Sequence, residues 1–174
     1  MRYLVAGMQP WTIDALEAAG RPYEMWDYAT TLPSLLAGLC FRPRYVFVLH
    51  WSAYLPAEVY ARVETINLHA TRLPYGRGGN PLENLILRGH TETVITAHRM
   101  TADLDAGPIY GVSDPVSLAG TKAEILARFA APCAALMRTI IDKAPTPTPQ
   151  VGDVVRFARL SPEVYQDVWA TRGR

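Results

Sequence analysis

Asn67, His69 and Asp105 are the residues of this 174-residue chain whose types and spacing best fit a chemical site. The Asn67 amide can donate to a developing oxyanion, the His69 imidazole can carry charge or a proton, and the Asp105 carboxylate can orient the imidazole. Together these groups can form an acyl-transfer site that has no nucleophilic side chain. The nucleophile would then be an amine of the substrate.

Each of these residues also has a simpler interpretation. An Asn at a strand end often ties a turn, and a single His is usually a structural residue with satisfied hydrogen bonds. His69 either stabilises the oxyanion as an imidazolium or accepts the amine proton as a neutral base, and a nearby carboxylate favours the imidazolium. Asp103, two residues before Asp105, is the competing carboxylate.

The other three histidines are interpreted as structural residues. His90 follows Gly89 in a predicted turn, and His98 lies within a predicted strand. His50 borders a loop at the carboxyl end of a strand, where open α/β sheets bind ligands. Of the three, His50 is therefore the most suited to contact a ligand.

Short apolar runs alternate with helix-compatible apolar spacing along the chain, which predicts an α/β fold with a mostly parallel sheet. The predicted strands are residues 3–6, 23–28, 45–49, 65–68 and 94–99. The predicted helices are residues 11–19, 32–39, 58–63, 82–87 and 121–141, the last with a local break at Pro132. Asn67 then lies near a strand end, and Asp105 follows a later strand, so the polar groups can converge.

Four connecting or terminal segments complete the prediction. Residues 50–56 form a loop after a buried strand, and residues 73–81, rich in Gly and Pro, form a turn that leads into a helix. Residues 144–149 alternate Pro with Ala or Thr and form a stiff, extended spacer. Residues 154–160 are expected to add an edge strand, either within the chain or across a dimer.

The composition favours a single globular domain and argues against a disordered chain, a broad nucleic-acid-binding surface and a membrane protein. Hydrophobic residues make up 49% of the chain, charged residues 19%, and the net charge is +1, which argues against disorder and a broad nucleic-acid surface. No apolar run approaches the roughly 18 to 20 residues of a membrane span, so a cytoplasmic protein without membrane contact is expected. Gly7 is not followed by a Gly-x-Gly-x-x-Gly fingerprint, so no dinucleotide is expected. Cys40 and Cys133 lack metal-ligand spacing, and no metal is expected.

Residues 66–78, which contain Asn67-Leu68-His69 and the Leu-Pro-x-x-x-Gly turn, and the later run Asp103 to Gly107 together resemble the folate-dependent formyltransferases. This family includes methionyl-tRNA, glycinamide ribonucleotide and sugar N-formyltransferases. The resemblance covers about residues 45–125 and implies a trimmed Rossmann-like formyltransferase fold. Residues 1–143 would be the catalytic domain, and residues 144–174 a Pro-rich spacer with an accessory segment.

The resemblance implies that a formyl group passes from 10-formyltetrahydrofolate to an amine through a tetrahedral intermediate. Asn67, His69 and Asp105 match the family's catalytic positions, and Arg77 and Gly78 match its turn, where Arg77 would either meet a substrate phosphate or brace the loop. Two further segments match the family's folate-binding positions, and they are Ala53, Tyr54, Leu55, Thr101, Ala102, Asp103 and Leu104.

Among family members, the compact sugar N-formyltransferases are the most similar in type to this chain. The acceptor expected from this resemblance is a nucleotide-linked 4-amino-4,6-dideoxysugar used for surface glycans, without nucleic acid, and the enzyme is expected to be a homodimer. The alternatives are another amine, of the peptide-tailoring, tRNA or purine type. A hydrolase of 10-formyltetrahydrofolate and a non-catalytic folate-binding module also remain open.

Overall fold

The computed structural model describes residues 2–18 and 26–172. The strands within them are β1 (Tyr3–Gly7), β2 (Trp26–Ala29), β3 (Tyr45–Leu49), β4 (Glu64–His69), β5 (Tyr75–Gly78), β6 (Glu92–Thr93), β7 (Thr96–Arg99), β8 (Ile109–Val112), β9 (Val116–Ser117) and β10 (Val155–Phe157). The helices are α1 (Trp11–Ala18), α2 (Leu32–Gly38), α3 (Ala57–Arg62), α4 (Pro81–Leu87), α5 (Lys122–Lys143) and α6 (Pro162–Ala170), with a 3-10 turn at Leu39–Phe41.

Six strands form the central sheet, in the spatial order β2-β1-β3-β4-β7-β8. The first four are mutually parallel, while β7 and β8 extend the sheet by antiparallel pairing. Residues of α1, α4 and α5 cover one face, and residues of α2 and α3 cover the other. This confirms the predicted mostly parallel α/β sheet flanked by helices.

The central strands are buried because helices cover both of their faces. Every residue of β1 and β3 is buried. Successive side chains alternate between the two layers, so Val5 and Phe47 face one core while Leu4 and Val46 face the other. Continuous apolar runs are therefore needed in these strands.

Each strand predicted for the central sheet is found, with boundaries that move by a few residues. The strand predicted at 94–99 begins only at Thr96, and the one predicted at 65–68 extends to Glu64–His69. Residues 19 and 23–25 of two predicted elements lie outside the described residues. The sequence did not predict four strands whose pairing depends on tertiary contacts, namely β5, β6, β8 and β9.

The break predicted in the long helix at Pro132 was wrong. Helix α5 runs without interruption from Lys122 to Lys143 and contains Pro132. Proline removes one backbone donor from a helix, but the apolar face on either side of it, including Phe129 and Leu136, is buried in the core. Packing of that face maintains the helix across the missing hydrogen bond.

The C-terminal segment is attached to the Gly- and Pro-rich turn at residues 73–81, which follows β4. Strand β10 pairs in parallel with β5 as a separate two-stranded sheet, so its partner belongs to the same chain. In the spacer, Thr148 and Ile109 exchange backbone hydrogen bonds of 2.7 and 2.9 Å. Among the described residues, no helix is both long and apolar enough to cross a membrane.

Candidate active site

Four polar side chains meet where β4, β7 and the loop after β7 come together. Asn67 and His69 lie on β4, and His98 lies opposite Asn67 on the antiparallel strand β7. The loop after β7 brings Asp105 to the same place, where its carboxylate approaches all three. We call Asn67, His69, His98 and Asp105 the site cluster.

The side-chain amide of Asn67 is the centre of this cluster. Its Nδ2 atom lies 3.2 Å from His98 Nε2 and 3.4 Å from Asp105 Oδ1. The amide donors that the sequence analysis assigned to an oxyanion therefore face these two side chains. The Asp105 contact is the longer of the two and so the weaker hydrogen bond.

His69 is buried and holds a defined orientation. Its Nε2 atom lies 2.8 Å from the Gly76 carbonyl oxygen and must donate to it, because a carbonyl only accepts. Burial lowers the pKa of His69 below its ordinary value of 6.5, although the negative charge of Asp105 opposes this shift. The neutral ring therefore presents the Nδ1 lone pair to Asp105 Oδ2, 3.8 Å away.

This pKa direction differs from the sequence-based expectation. We expected the carboxylate to favour the imidazolium form of His69, and the electrostatic effect of Asp105 does have that sign. At 5% exposure, however, the loss of hydration outweighs the carboxylate. The environment of His69 thus favours a neutral base.

His98 belongs to the site cluster, although the sequence analysis treated it as a structural strand residue. Its Nδ1 atom lies 3.0 Å from the Arg99 carbonyl oxygen and must donate to it, and in that tautomer Nε2 accepts from the Asn67 amide nitrogen at 3.2 Å. Its side chain is 1% exposed. Its position opposite Asn67 would have identified it, but that requires the strand register.

Asp105, and not Asp103, is the carboxylate that meets the other polar groups. Its Oδ2 atom accepts from the Gly78 N–H at 2.9 Å, and its backbone has a left-handed φ of 51°. Burial raises the pKa of Asp105, but the His98 and His69 imidazoles and the Gly78 N–H outweigh burial and lower it to about 2. Asp103 is exposed.

Two glycines allow backbone segments to approach closely around Asp105. A Cβ atom on Gly78 would lie 2.3 Å from the Phe157 carbonyl oxygen, and Gly78 also has a φ of 118°. A Cβ atom on Gly107 would lie 1.9 Å from the Arg99 carbonyl oxygen. Larger residues at these two positions would displace the segments that hold Asp105.

Arg77, expected either to meet a substrate phosphate or to brace its loop, contacts the C-terminal segment. Its guanidinium donates from Nε and Nη2 to Gln150 Oε1, at 3.0 and 2.7 Å. The Gln150 Nε2 atom donates to the carbonyl oxygens of Asp105 and Gly107, both at 2.8 Å. In this structure Arg77 therefore braces the loop, through a residue that the sequence analysis did not identify.

The two segments expected to bind folate present mostly exposed residues. Tyr54 is 80% exposed and Leu104 is 60% exposed, whereas Leu55 is buried in the core layer beside β3. The remaining members are exposed or half-buried, and they are Ala53, Thr101, Ala102 and Asp103. Both segments thus carry a large apolar side chain that a flat ligand could cover.

The other histidines lie in different surroundings. His50 has a φ of 49° and stands edge-on to Trp11, and burial together with the Lys122 charge lowers its pKa to about 4. His90 is exposed and contacts the Tyr75 hydroxyl at 3.0 Å. No group of three or more His, Cys, Asp and Glu residues in the described part of the chain could hold a metal ion.

A model of the family described as formyl transferase matches residues 37–140. Methionyl-tRNA formyltransferase of Acidothermus cellulolyticus is 35% identical over 124 residues, which cover 67% of this chain and 38% of that protein. The chain therefore spans little more than a third of the length of this relative. Residues 141–174 lie beyond the family match.

Solved structures resemble nearly the whole chain. A methionyl-tRNA formyltransferase from Clostridium thermocellum aligns with a TM-score of 0.86 at 30% identity, covering 94% of this chain and 74% of that one. A 4-N formyltransferase from Francisella tularensis aligns with a TM-score of 0.69 at 18% identity, covering 95% and 78%. The second likeness is one of fold.

Proposed function

This chain belongs to the formyl transferase family, and from that premise we propose that it transfers a formyl group from 10-formyltetrahydrofolate to a primary amine. The observation that carries the proposal is the convergence of half-buried Asn67 with buried His69 and Asp105 in one cluster. These are the three positions that match the family's catalytic residues. We assign them as the catalytic residues.

The segments 53–55 and 101–104 are the proposed folate-binding segments. The exposed Tyr54 and Leu104 side chains are suited to the apolar faces of a flat heterocycle. When bound, 10-formyltetrahydrofolate would supply the formyl carbon. Arg77 and Gly78 are proposed to shape the substrate side of the site, with the Gly78 N–H also holding Asp105.

In the proposed mechanism, Asn67 stabilises negative charge at the formyl oxygen. The N–H group that it donates to Asp105 at 3.4 Å is the more easily redirected of its two donors. Loss of a comparable donor in other acyl-transfer sites costs about 3 to 4 kcal/mol in the activation barrier. His98 remains bonded to the other Asn67 donor and keeps the amide oriented.

His69 is proposed to accept the proton of the attacking amine. Its Nε2–H is held by the Gly76 carbonyl group, so Nδ1 is the atom that takes the proton. The resulting imidazolium would then donate toward the Asp105 carboxylate, which lies 3.8 Å away and is ionised at neutral pH because its pKa is about 2. Asp105 thus stabilises the protonated base, which would return the proton to the departing tetrahydrofolate nitrogen as the bond between that nitrogen and the formyl carbon breaks.

The proposed acceptor is a nucleotide-linked 4-amino-4,6-dideoxysugar for surface glycan synthesis. The net charge of +1 supports a small acceptor over an extended nucleic-acid surface, and the fold also occurs in an enzyme described as a sugar N-formyltransferase, at 14% identity. Methionyl-tRNA is the second candidate, because relatives at 35% and 30% identity carry the name methionyl-tRNA formyltransferase.

We also propose that the protein is a cytoplasmic homodimer. Residues 1–143 would form its catalytic domain and residues 144–174 an accessory segment.

Mass spectrometry of the purified protein with 10-formyltetrahydrofolate and both classes of acceptor tests the proposal. The acceptors are UDP- and dTDP-linked 4-amino-4,6-dideoxysugars and methionyl-tRNA, and Asn67→Ala is the control. Gain of one formyl group by an acceptor, lost in the control, supports the transferase and identifies the acceptor class. Formate release alone supports a hydrolase, and folate binding without turnover supports a binding module.

A further inference from the structure

Gln150 uses all of its side-chain hydrogen-bonding groups to join two segments of the candidate site. Its Oε1 atom accepts from Arg77 Nε and Nη2, at 3.0 and 2.7 Å. Its Nε2 atom donates to the carbonyl oxygens of Asp105 and Gly107, both at 2.8 Å. One amide therefore links the turn that contains Gly78 to the loop that contains the site carboxylate.

The chemistry of the partners determines the orientation of this amide. A guanidinium only donates hydrogen bonds, and a backbone carbonyl only accepts them. The reverse orientation of Gln150 would place its N–H groups against the N–H groups of Arg77. It would also place its carbonyl oxygen against the carbonyl oxygens of Asp105 and Gly107. The arrangement is consequently specific for a primary amide, which carries both donors and an acceptor.

The contacts of Gln150 fix the backbone on which Asp105 stands. Asp105 has a left-handed φ of 51°, a conformation that is uncommon for residues other than glycine. The carbonyl group of Asp105 is bound by Gln150, while its carboxylate is bound by the Gly78 N–H at 2.9 Å. Arg77 precedes Gly78, so Gln150 braces both sides of that contact.

Gln150 itself is anchored by backbone pairing before and after it. Two residues earlier, Thr148 exchanges hydrogen bonds of 2.7 and 2.9 Å with Ile109 of β8. After it, β10 pairs with β5, and Phe157 of β10 is buried in the core. These anchors keep the amide in place across residues that lie outside the family match.

We propose that Gln150 is a positioning residue for formyl transfer, which holds Asp105 in register with His69 and Gly78. The inference rests on the proposed function, because its kinetic effect presupposes that Asp105 serves the reaction. It extends that function to the C-terminal segment, which would be part of the site and not only an attachment to it. Gln150 acts through Asp105, so it is not itself assigned as a catalytic residue.

The test compares Gln150→Glu and Gln150→Ala with Val151→Ala, whose 88% exposed side chain makes it a matched neighbouring control. Gln150→Glu keeps an acceptor for Arg77 and loses both donors to the Asp105 and Gly107 carbonyls. We expect kcat to fall about tenfold to a hundredfold in both Gln150 variants, as for small misplacements of reacting groups, and KM for the folate to change less than about twofold. The Val151 control should behave as the unmodified protein.

A second readout separates positioning from general destabilisation. The carboxyl resonance of Asp105, followed by carbon-13 NMR as pH is varied, should titrate near 2 in the unmodified protein. In Gln150→Ala, which introduces no new charge, the midpoint should move toward the ordinary value of 3.8, because the carboxylate loses its fixed contact with Gly78. Melting temperatures of all variants show whether each one folds.

Unchanged kcat and an unchanged Asp105 titration in a folded Gln150 variant would overturn the proposal. The proposal would also be overturned if kcat and the affinity for the folate decreased by the same factor while the Asp105 titration remained unaltered. If the unmodified protein formylates no amine, the proposed function fails by itself. The Asp105 titration still decides whether Gln150 positions that carboxylate, so the two failures are distinguishable.

Discussion

Two polar clusters form around strands β4 and β7, and they differ in burial and in the length of their side-chain contacts. In one, Arg99 Nε donates to Glu64 Oε1 at 2.5 Å and Arg99 Nη2 to the hydroxyl of Tyr110 on β8 at 3.2 Å, while Tyr110 donates to Glu64. We call Glu64, Arg99 and Tyr110 the ion-pair cluster. Its Arg99 and Glu64 side chains are 42% and 30% exposed.

The site cluster shows the opposite combination of burial and bonding. His69, His98 and Asp105 are 5%, 1% and 8% exposed, yet the contacts of Asp105 with the two imidazoles are 3.8 and 3.6 Å. Buried polar groups normally have short hydrogen bonds. Each of these three side chains has one short hydrogen bond to the backbone, of 2.8 to 3.0 Å, and the longer contacts are those that join the side chains to one another. We propose that the longer contacts leave bonding capacity for a ligand or a proton, whereas the short side-chain contacts of the ion-pair cluster serve the structure.

The largest expected effect is loss of the proposed base. His69→Gln keeps an N–H group for the Gly76 carbonyl but replaces the Nδ1 lone pair with a far weaker base. General bases contribute about 10² to 10⁴ in rate, so the single-turnover rate of formyl transfer should fall within that range. A His69→Gln enzyme with more than a third of normal activity would remove His69 from the chemistry.

Substitution of His98 is expected to have a smaller effect than substitution of His69. It tests whether His98 belongs functionally to the site cluster. His98→Leu removes the acceptor of the Asn67 amide and the donor to the Arg99 carbonyl. We expect kcat to fall about tenfold through misorientation of Asn67, and stability to fall by about 1 to 3 kcal/mol through the unpaired buried groups. The exposed His90→Leu serves as the control in kinetics and urea unfolding, and equal effects of the two substitutions would refute the assignment.

The pH dependence distinguishes a neutral His69 from an imidazolium. Its pKa in the folded protein lies below 6.5, so a required neutral base predicts a transfer rate that stays level from pH 8 to 6.5 and declines below that range. Stability should decline in the same direction, because below pH 6.5 the unfolded chain takes up a proton that folded His69 resists. Rates measured between pH 5 and 8 check this, and activity that increases as His69 becomes protonated would exclude the base role.

The smallest effect is expected in the ion-pair cluster. Glu64→Gln should lower the free energy of unfolding by no more than about 1 kcal/mol, since exposed ion pairs contribute little. The single-turnover rate should remain within about twofold of normal. Urea unfolding and kinetics on the same preparation measure both quantities, and a tenfold rate loss would show that the two clusters are coupled.

The sequence was sufficient to predict five of the six strands of the central sheet and three members of the site cluster. Asn67 and His69 lie two residues apart on one strand, and the run around Asp105 has a specific composition, so both are visible locally. His98 was missed because its role depends on pairing opposite Asn67, and alternation within a strand does not define the partner.

The C-terminal contribution depends on longer-range contacts. Gln150 is 45 residues beyond Asp105 in sequence, and the Pro-rich spacer before it indicates an extended chain without indicating where that chain is attached. The position of β10 could not be predicted from its sequence either, because its short run is compatible with many sheet edges. Only the structure shows that β10 pairs with β5. Local pattern predicts the elements, whereas tertiary contacts determine which of them complete the site.

The most direct test of the central claim measures single-turnover formyl transfer in Asp105→Asn beside Glu64→Gln. Both substitutions replace a carboxylate with an amide of nearly equal size, one in each cluster. We predict a loss of at least about a hundredfold for Asp105→Asn, because the imidazolium formed at His69 loses its counter-charge, and a change within about twofold for Glu64→Gln. Equal rates in the two variants would contradict the assignment of the site cluster as the active site.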